Sequence, residues 1–307
     1  MRILIVGAGS TGGYYGARLA EAGRDVTFLV RPARAAQLRA NGLQIQSPHG
    51  DFTLQPKLVV AGAIDGPYDA ILLTVKGFGL AAALEDIAPA VGPETMILPV
   101  LNGMKHVDAI VARFGTEVLA GCVAKIATML DDGGRIVQLT KMHDLAYGEM
   151  DGSRSARILA LDQAMQGAGF DARLSDTIER DMWEKWVLLA TVGGVTNLMR
   201  GAIGEIEAVP GGAEFALAFL DEVIAVVTAE GHPPSEPFVT ATRAAVTQKG
   251  SPLTSSMYRD LMQGRPVEVD QILADLLARA KRLHMKTPLL AAATVNLLVY
   301  QNHIAAS

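Results

Sequence analysis

The sequence predicts an α/β domain on a mostly parallel sheet, followed by an all-α domain. Two observations carry this. Short β-rich runs alternate with helical patterns through the first half, which is the signature of βαβ units. Strand signals then fade, and long helical patterns continue to the end of the 307 residues. A chain of this length suits about two domains on a prior of roughly 150 residues each.

The elements follow in order. RILIVG reads as a strand, TGGYYGARLAEAG as a helix, DVTFLVR as a strand and PARAAQLRANG as a helix. DAILLTVK and TMILPVLNG are nearly continuous apolar runs, as expected of strands covered on both faces. From Thr116 to Glu149 two β-rich runs flank Asp131, Asp132, Gly133 and Gly134, a hairpin-like turn signal. SRSARILALDQAMQGAG is helical and FDARLS a short strand, so the domains are expected at 1–174 and 175–307. Helices follow at TIERDMWEKWVLLATVGG, AEFALAFLDEVIAVVTAEG, VEVDQILADLLARAKRLH and PLLAAATVNLLVYQ.

Composition excludes several classes of function. Half of the residues are apolar and 19% charged, without an uninterrupted apolar run long enough to span a bilayer, so no membrane partner is expected. A net charge of −5, with both signs mixed throughout, gives no electrostatic footprint for nucleic acid. The start, MRILIVGAGS, reaches a glycine-rich turn at once and has none of the parts of a secretory signal; a cytoplasmic location is expected. The single cysteine, Cys122, reads as a small buried hydrophobe. The six histidines show no ligand spacing, so no metal site is expected, and no GxSxG elbow supports a serine nucleophile. PLLAAATVNLLVY suits a core or a homodimer face equally.

The partner expected is therefore a small molecule, and GAGSTG says which kind. Gly7, Ala8, Gly9, Ser10, Thr11 and Gly12 follow a strand and open a helix. Gly7 allows the tight turn, Gly9 lets backbone approach a pyrophosphate, and Gly12 permits close helix packing, as in a Rossmann-type dinucleotide site. The second strand ends in VTFLVR, with no carboxylate between Val26 and Arg34 to bind a ribose 2′-hydroxyl. Arg31 stands where it could pair a 2′-phosphate, helped by Arg34, so NADP(H) is the expected cofactor.

Other polar residues occupy places where chemistry is expected. Lys76 closes DAILLTVK and Asn102 closes MILPVLNG, both at the carboxyl ends of strands, where such sheets bind ligands. Lys76 equally suits a charged strand end, and Asn102–Gly103 a turn. Lys185 is the one basic residue within WEKWVLLATV; such a lysine either snorkels to water or sits in a pocket for chemistry. Glu268 shares a four-residue stripe with Ile272 and Leu276 at the start of a helix, and Asp275 with Arg279 reads as an exposed ion pair. Ser255 and Ser256 suit a helix cap.

GxGxxG, TVK, LNGM, a WxK helix and SSMxxD followed by an E-V-D helix, in this order and spacing, resemble the ketopantoate reductase (2-dehydropantoate 2-reductase) family over nearly the whole chain. The resemblance implies a Rossmann-type domain, a helical substrate domain, and a cleft between them where NADPH reduces a 2-oxo acid to a 2-hydroxy acid. It further implies that Lys185 is the catalytic lysine and Glu268 its partner acid. Ser256 would hold the substrate carboxylate, Asn102 would sit by nicotinamide and substrate, and Lys76 would line the cofactor side. Typical members carry asparagines four and eight residues after the lysine. This chain has Leu189 and Gly193 there, with Thr196 as one polar residue returning to the lysine's face. A more apolar 2-oxo acid is therefore an alternative to ketopantoate. A 3-hydroxy acid dehydrogenase and a non-catalytic NADP(H) sensor are further ones.

Overall fold

A computed structural model describes residues 1–305. The chain divides into two compact units, one of Met1–Leu101 with His106–Glu179, the other of Asn102–Lys105 with the residues from Arg180 onward.

The first unit runs β1 (Arg2–Val6), α1 (Ser10–Glu21), β2 (Asp25–Leu29), α2 (Pro32–Asn41), β3 (Leu43–Gln46), β4 (Phe52–Leu54), β5 (Lys57–Val59), β6 (Ala70–Leu73), α3 (Leu80–Ile87) and β7 (Met96–Pro99). It continues through α4 (Lys105–Phe114), β8 (Ala120–Leu130), β9 (Ile136–Glu149), α5 (Ala156–Met165) and β10 (Asp171–Leu174). Five strands form a parallel sheet in the order β5-β2-β1-β6-β7. Side chains alternate across a strand, and both faces of this sheet are covered. Ile3, Ile5 and Leu72 pack with Tyr14, Tyr15 and Phe28 on one side. Leu4, Val6, Ile71 and Leu73 pack with Leu84, Ile87 and Ile110 on the other.

The long hairpin β8–β9 is present, but it belongs to a second, mixed sheet ordered β10-β9-β3-β4, with β8 paired to β9. Strands β3, β4 and β5 are absent from the sequence reading. Each is three or four residues long, too short for a period-two pattern to emerge.

The second unit is helical: α6 (Ile178–Met199), α7 (Ile203–Glu207), α8 (Gly212–Ala229), α9 (Glu236–Val246), α10 (Ser256–Met262), α11 (Asp275–Arg282) and α12 (Pro288–Ala305). The helix expected from Val267 runs without a break from Val269 to Arg282, and it opens in a π-helical turn, Asp270–Ala274, that leads into α11. Buried Trp186 donates its indole N–H to the Ile272 carbonyl at 2.9 Å within that turn. The Asp275–Arg279 pair, expected to be exposed, is buried. Arg279 is 8% accessible and lies 5.6 and 5.5 Å from the ring centroids of Trp183 and Trp186. It also binds Glu230 at 3.0 Å, so its charge is paired twice where the periodicity suggested solvent.

In the first unit, Glu149 is buried at the end of β9. Burial pushes its carboxyl up, but hydrogen bonds from Arg157 and Ser155 outweigh that and hold it below its ordinary value. A depressed carboxylate stabilises the fold above its unfolded pKa and loses that contribution as pH falls through the folded value. Glu149→Gln should therefore flatten the loss of stability on acidification below the ordinary glutamate value of 4.5, measured as urea unfolding free energy against pH. An unchanged slope would exclude this pair as a contributor.

Candidate active site

The turn between β1 and α1 is shaped by absent side chains. Gly7 has φ +98°, a left-handed conformation that a side chain would strain. A Cβ on Gly12 would lie 2.0 Å from the Thr74 hydroxyl oxygen and 2.5 Å from the Gly7 carbonyl oxygen, so residue 12 cannot carry one without the loop moving. Above Gly9 nothing lies within 4 Å of a Cβ position, leaving the backbone open to a ligand. The hydroxyl of Thr74, just beyond β6, shares its one proton between the Val6 and Gly7 carbonyls at 2.8 and 3.0 Å and clips the loop to the sheet. Ser10 and Thr11 open α1, whose first-turn N–H groups have no intrahelical partners and suit an anion. A tight turn, an approachable Gly9 and a helix start fit the pyrophosphate of a dinucleotide.

Arg31 is exposed just after β2, where its guanidinium is available to a 2′-phosphate. Arg34, expected to assist, donates its Nε to the Ala8 carbonyl at 3.2 Å and its Nη1 to Gln37 Oε1 at 2.5 Å, while its Nη2 is buried without a hydrogen-bond partner. It braces the phosphate loop against α2. Lys76 is exposed after β6.

In the second unit α6 carries Lys185, Leu189 and Gly193 at four-residue spacing, along one face. Lys185 and Leu189 are half-buried, and Gly193 is buried. A Cβ on Gly193 would meet the Met257 methyl at 2.6 Å, so the thioether takes up space that a side chain there would need. Asn102 and Glu268, 166 residues apart, meet directly: Asn102 Nδ2 donates to Glu268 Oε2 at 3.1 Å. Gly103 makes this possible. It has φ +80°, and a Cβ on it would lie 2.0 Å from the Gln271 carbonyl oxygen.

Thr196, expected to return a polar group to the lysine's face, is instead fully buried and committed. Its hydroxyl donates to the Val192 carbonyl at 2.6 Å. Having spent its proton, it can only accept from the Ser255 hydroxyl at 3.2 Å. The Ser255 oxygen in turn accepts from the Tyr258 N–H at 2.9 Å and from Asn197 Nδ2 at 3.3 Å. Asn197 also donates to the Gly193 carbonyl at 2.7 Å. Three buried side chains thus tie α6 to the cap of α10, whose first residue is the exposed Ser256. Ser255 was readable as a cap. Asn197 was missed, and its only sequence signal is a polar residue four after Gly193.

Among the described residues, no group of three or more His, Cys, Asp or Glu could hold a metal ion, and no helix is long and apolar enough to cross a membrane.

The fold and the glycine-shaped loop define a two-unit protein whose parallel sheet is of the dinucleotide-binding kind. The family model described as ketopantoate reductase PanE/ApbA matches residues 3–152, and its C-terminal counterpart matches residues 177–301. The chain belongs to the ketopantoate reductase family, whose members are NAD(P)-dependent oxidoreductases acting on CH–OH groups. It is 36% identical over 301 residues to the uncharacterized oxidoreductase YkpB of Bacillus subtilis (strain 168), covering 98% of this chain and 99% of that one. It resembles the crystal structure of 2-dehydropantoate 2-reductase from Geobacter metallireducens GS-15, with TM-score 0.85, 31% identity, and 97% and 99% of the two chains covered. It shares its fold with D-mandelate dehydrogenase in a ternary structure with NADH and anilino(oxo)acetate, with TM-score 0.87, 21% identity, and 99% and 100% covered.

Two substitutions test this geometry. Gly12→Ala should weaken NADPH binding at least about tenfold, or ~1.4 kcal/mol, by fluorescence titration, because its Cβ meets backbone as well as the Thr74 hydroxyl; wild-type affinity would refute the close approach. Ser255→Ala removes a cap and takes one hydrogen bond from each of two buried partners, so unfolding should become easier by about 1–3 kcal/mol in denaturant melts.

Proposed function

We propose that this protein uses NADPH to reduce a 2-oxo acid to a 2-hydroxy acid, with 2-dehydropantoate, giving pantoate, as the leading substrate. The observation that carries the reading is the Asn102–Glu268 hydrogen bond. It joins two residues that family resemblance assigns to substrate and catalysis and that sequence position alone would never pair. The name of the Geobacter relative supports the substrate.

When bound, the nicotinamide supplies a hydride to the carbonyl carbon. The chain's own groups handle charge and protons. The Lys185 ammonium polarises the carbonyl oxygen, then gives it a proton as the C=O π bond becomes a C–O bond, and regains one from water. Glu268, held by Asn102, orients the donor and balances its charge. Ser256 takes the substrate carboxylate, while Gly7 through Gly12 hold the pyrophosphate. Arg31 takes the 2′-phosphate, and Lys76 lines the cofactor side.

A second reading is favoured by one observation. Where typical relatives place two asparagines, this chain has Leu189, and Gly193 with the Met257 methyl against it. A substrate hydroxyl facing such a wall lacks a partner, which commonly costs about 1–3 kcal/mol when buried. A 2-oxo acid with an apolar group beyond the carbonyl fits better.

NADPH oxidation measured against 2-oxo acids that vary this group tests both readings. The best kcat/KM falls on ketopantoate under the first and on an apolar analogue under the second; no turnover of any 2-oxo acid would refute the proposed reaction. Lys185→Ala should lower kcat about 10²–10⁴-fold with NADPH affinity retained. Retained turnover would remove the lysine from the mechanism.

A further inference from the structure

Phe78 is 77% exposed, more than any other large apolar side chain among the described residues. It sits in the short 3₁₀ turn Gly77–Gly79, directly after Lys76 and before α3. The glycines on either side offer no side chain to cover the ring. A phenyl ring so placed contributes little to the core and is left presenting its face to whatever binds at this edge of the sheet.

The position of that edge gives the ring a use. β1 lies between β2 and β6, so the turns that follow these three strands lie side by side at the carboxyl edge of the sheet. The middle one is the glycine loop, the one after β2 carries Arg31, and the one after β6 carries Phe78. The outer two approach each other: a Cβ on Gly79 would lie 3.9 Å from Arg31 Nη2 and 3.7 Å from the Val75 Cβ. A dinucleotide with its pyrophosphate on the glycine loop directs one ribose toward the end of β2. The adenine attached to that ribose needs a flat apolar surface near Arg31.

We propose that Phe78 is the platform on which the adenine of the dinucleotide stacks, beside the Arg31 guanidinium. This rests on the reading of the glycine loop as the pyrophosphate site. Base–aromatic stacking changes affinity by roughly 5- to 150-fold. The platform also explains why glycines flank the ring, since a bare turn lets it settle flat against a base.

The test is the affinity of the full chain, and of its Phe78→Ala and Phe78→Trp variants, for three ligands by calorimetry: NADPH, adenosine 2′,5′-bisphosphate and reduced nicotinamide mononucleotide. Phe78→Ala should weaken the two adenine-bearing ligands alike, by about tenfold or more, and leave the mononucleotide unchanged; Phe78→Trp should keep wild-type affinity. Unchanged binding of the bisphosphate by Phe78→Ala would overturn the inference, as would equal weakening of all three ligands. A wild-type chain that binds neither NADPH nor the bisphosphate would overturn the pyrophosphate-site reading as well, and so separates the two failures.

Discussion

The close approach of Gly12 to Thr74 is the constraint on which the cofactor unit depends. Here α1 starts so near β6 that the threonine hydroxyl occupies the volume of a missing side chain. The same hydroxyl bonds the carbonyls at the end of β1, so helix, strand and neighbouring strand are joined at one atom. With the loop held in this way, the open backbone at Gly9 becomes a fixed surface. Arg34 adds a second brace from α2 through the Ala8 carbonyl. The loop is held from both sides and left bare above.

The helical unit uses the same device at Gly103. Backbone packs against the Gln271 carbonyl where a side chain would stand, and this brings the Asn102 amide to the Glu268 carboxylate. Around it the polar groups are mostly paired through backbone: Trp186 to Ile272, Thr196 to Val192, Asn197 to Gly193. Buried donors satisfied in this way cost little and fix orientation. The exposed Ser256 inherits its position from the buried Ser255 cap.

Much of this was readable in the sequence because the signals are local. Strand, glycine loop and helix are contiguous, so GAGSTG carried its context with it. Apolar runs such as DAILLTV announced a strand covered on both faces. Features that depend on partners distant in sequence were not readable. Arg279 looked solvent-facing because Glu230 and the two tryptophans lie on other helices. Thr196 looked available because nothing in a periodicity shows a hydroxyl turning back on its own helix. Strands β3 and β4 of the second sheet were too short to alternate visibly. Asn102 and Glu268 were each singled out by position, one at a strand end and one at a helix start, but their pairing is a tertiary fact.

The π-helical turn Asp270–Ala274 stands between Glu268 and the regular helix α11. A π turn accommodates one more residue than an α turn, and one residue corresponds to about 100° of rotation in the α-helix that continues from it. The aim of Glu268 is therefore tied to the length of this segment rather than to its composition alone. Side chains in it can drift while the residue count holds, whereas a single deletion would turn the carboxylate away from Asn102. In evolutionary terms, this stretch should tolerate substitution far more readily than insertion or deletion.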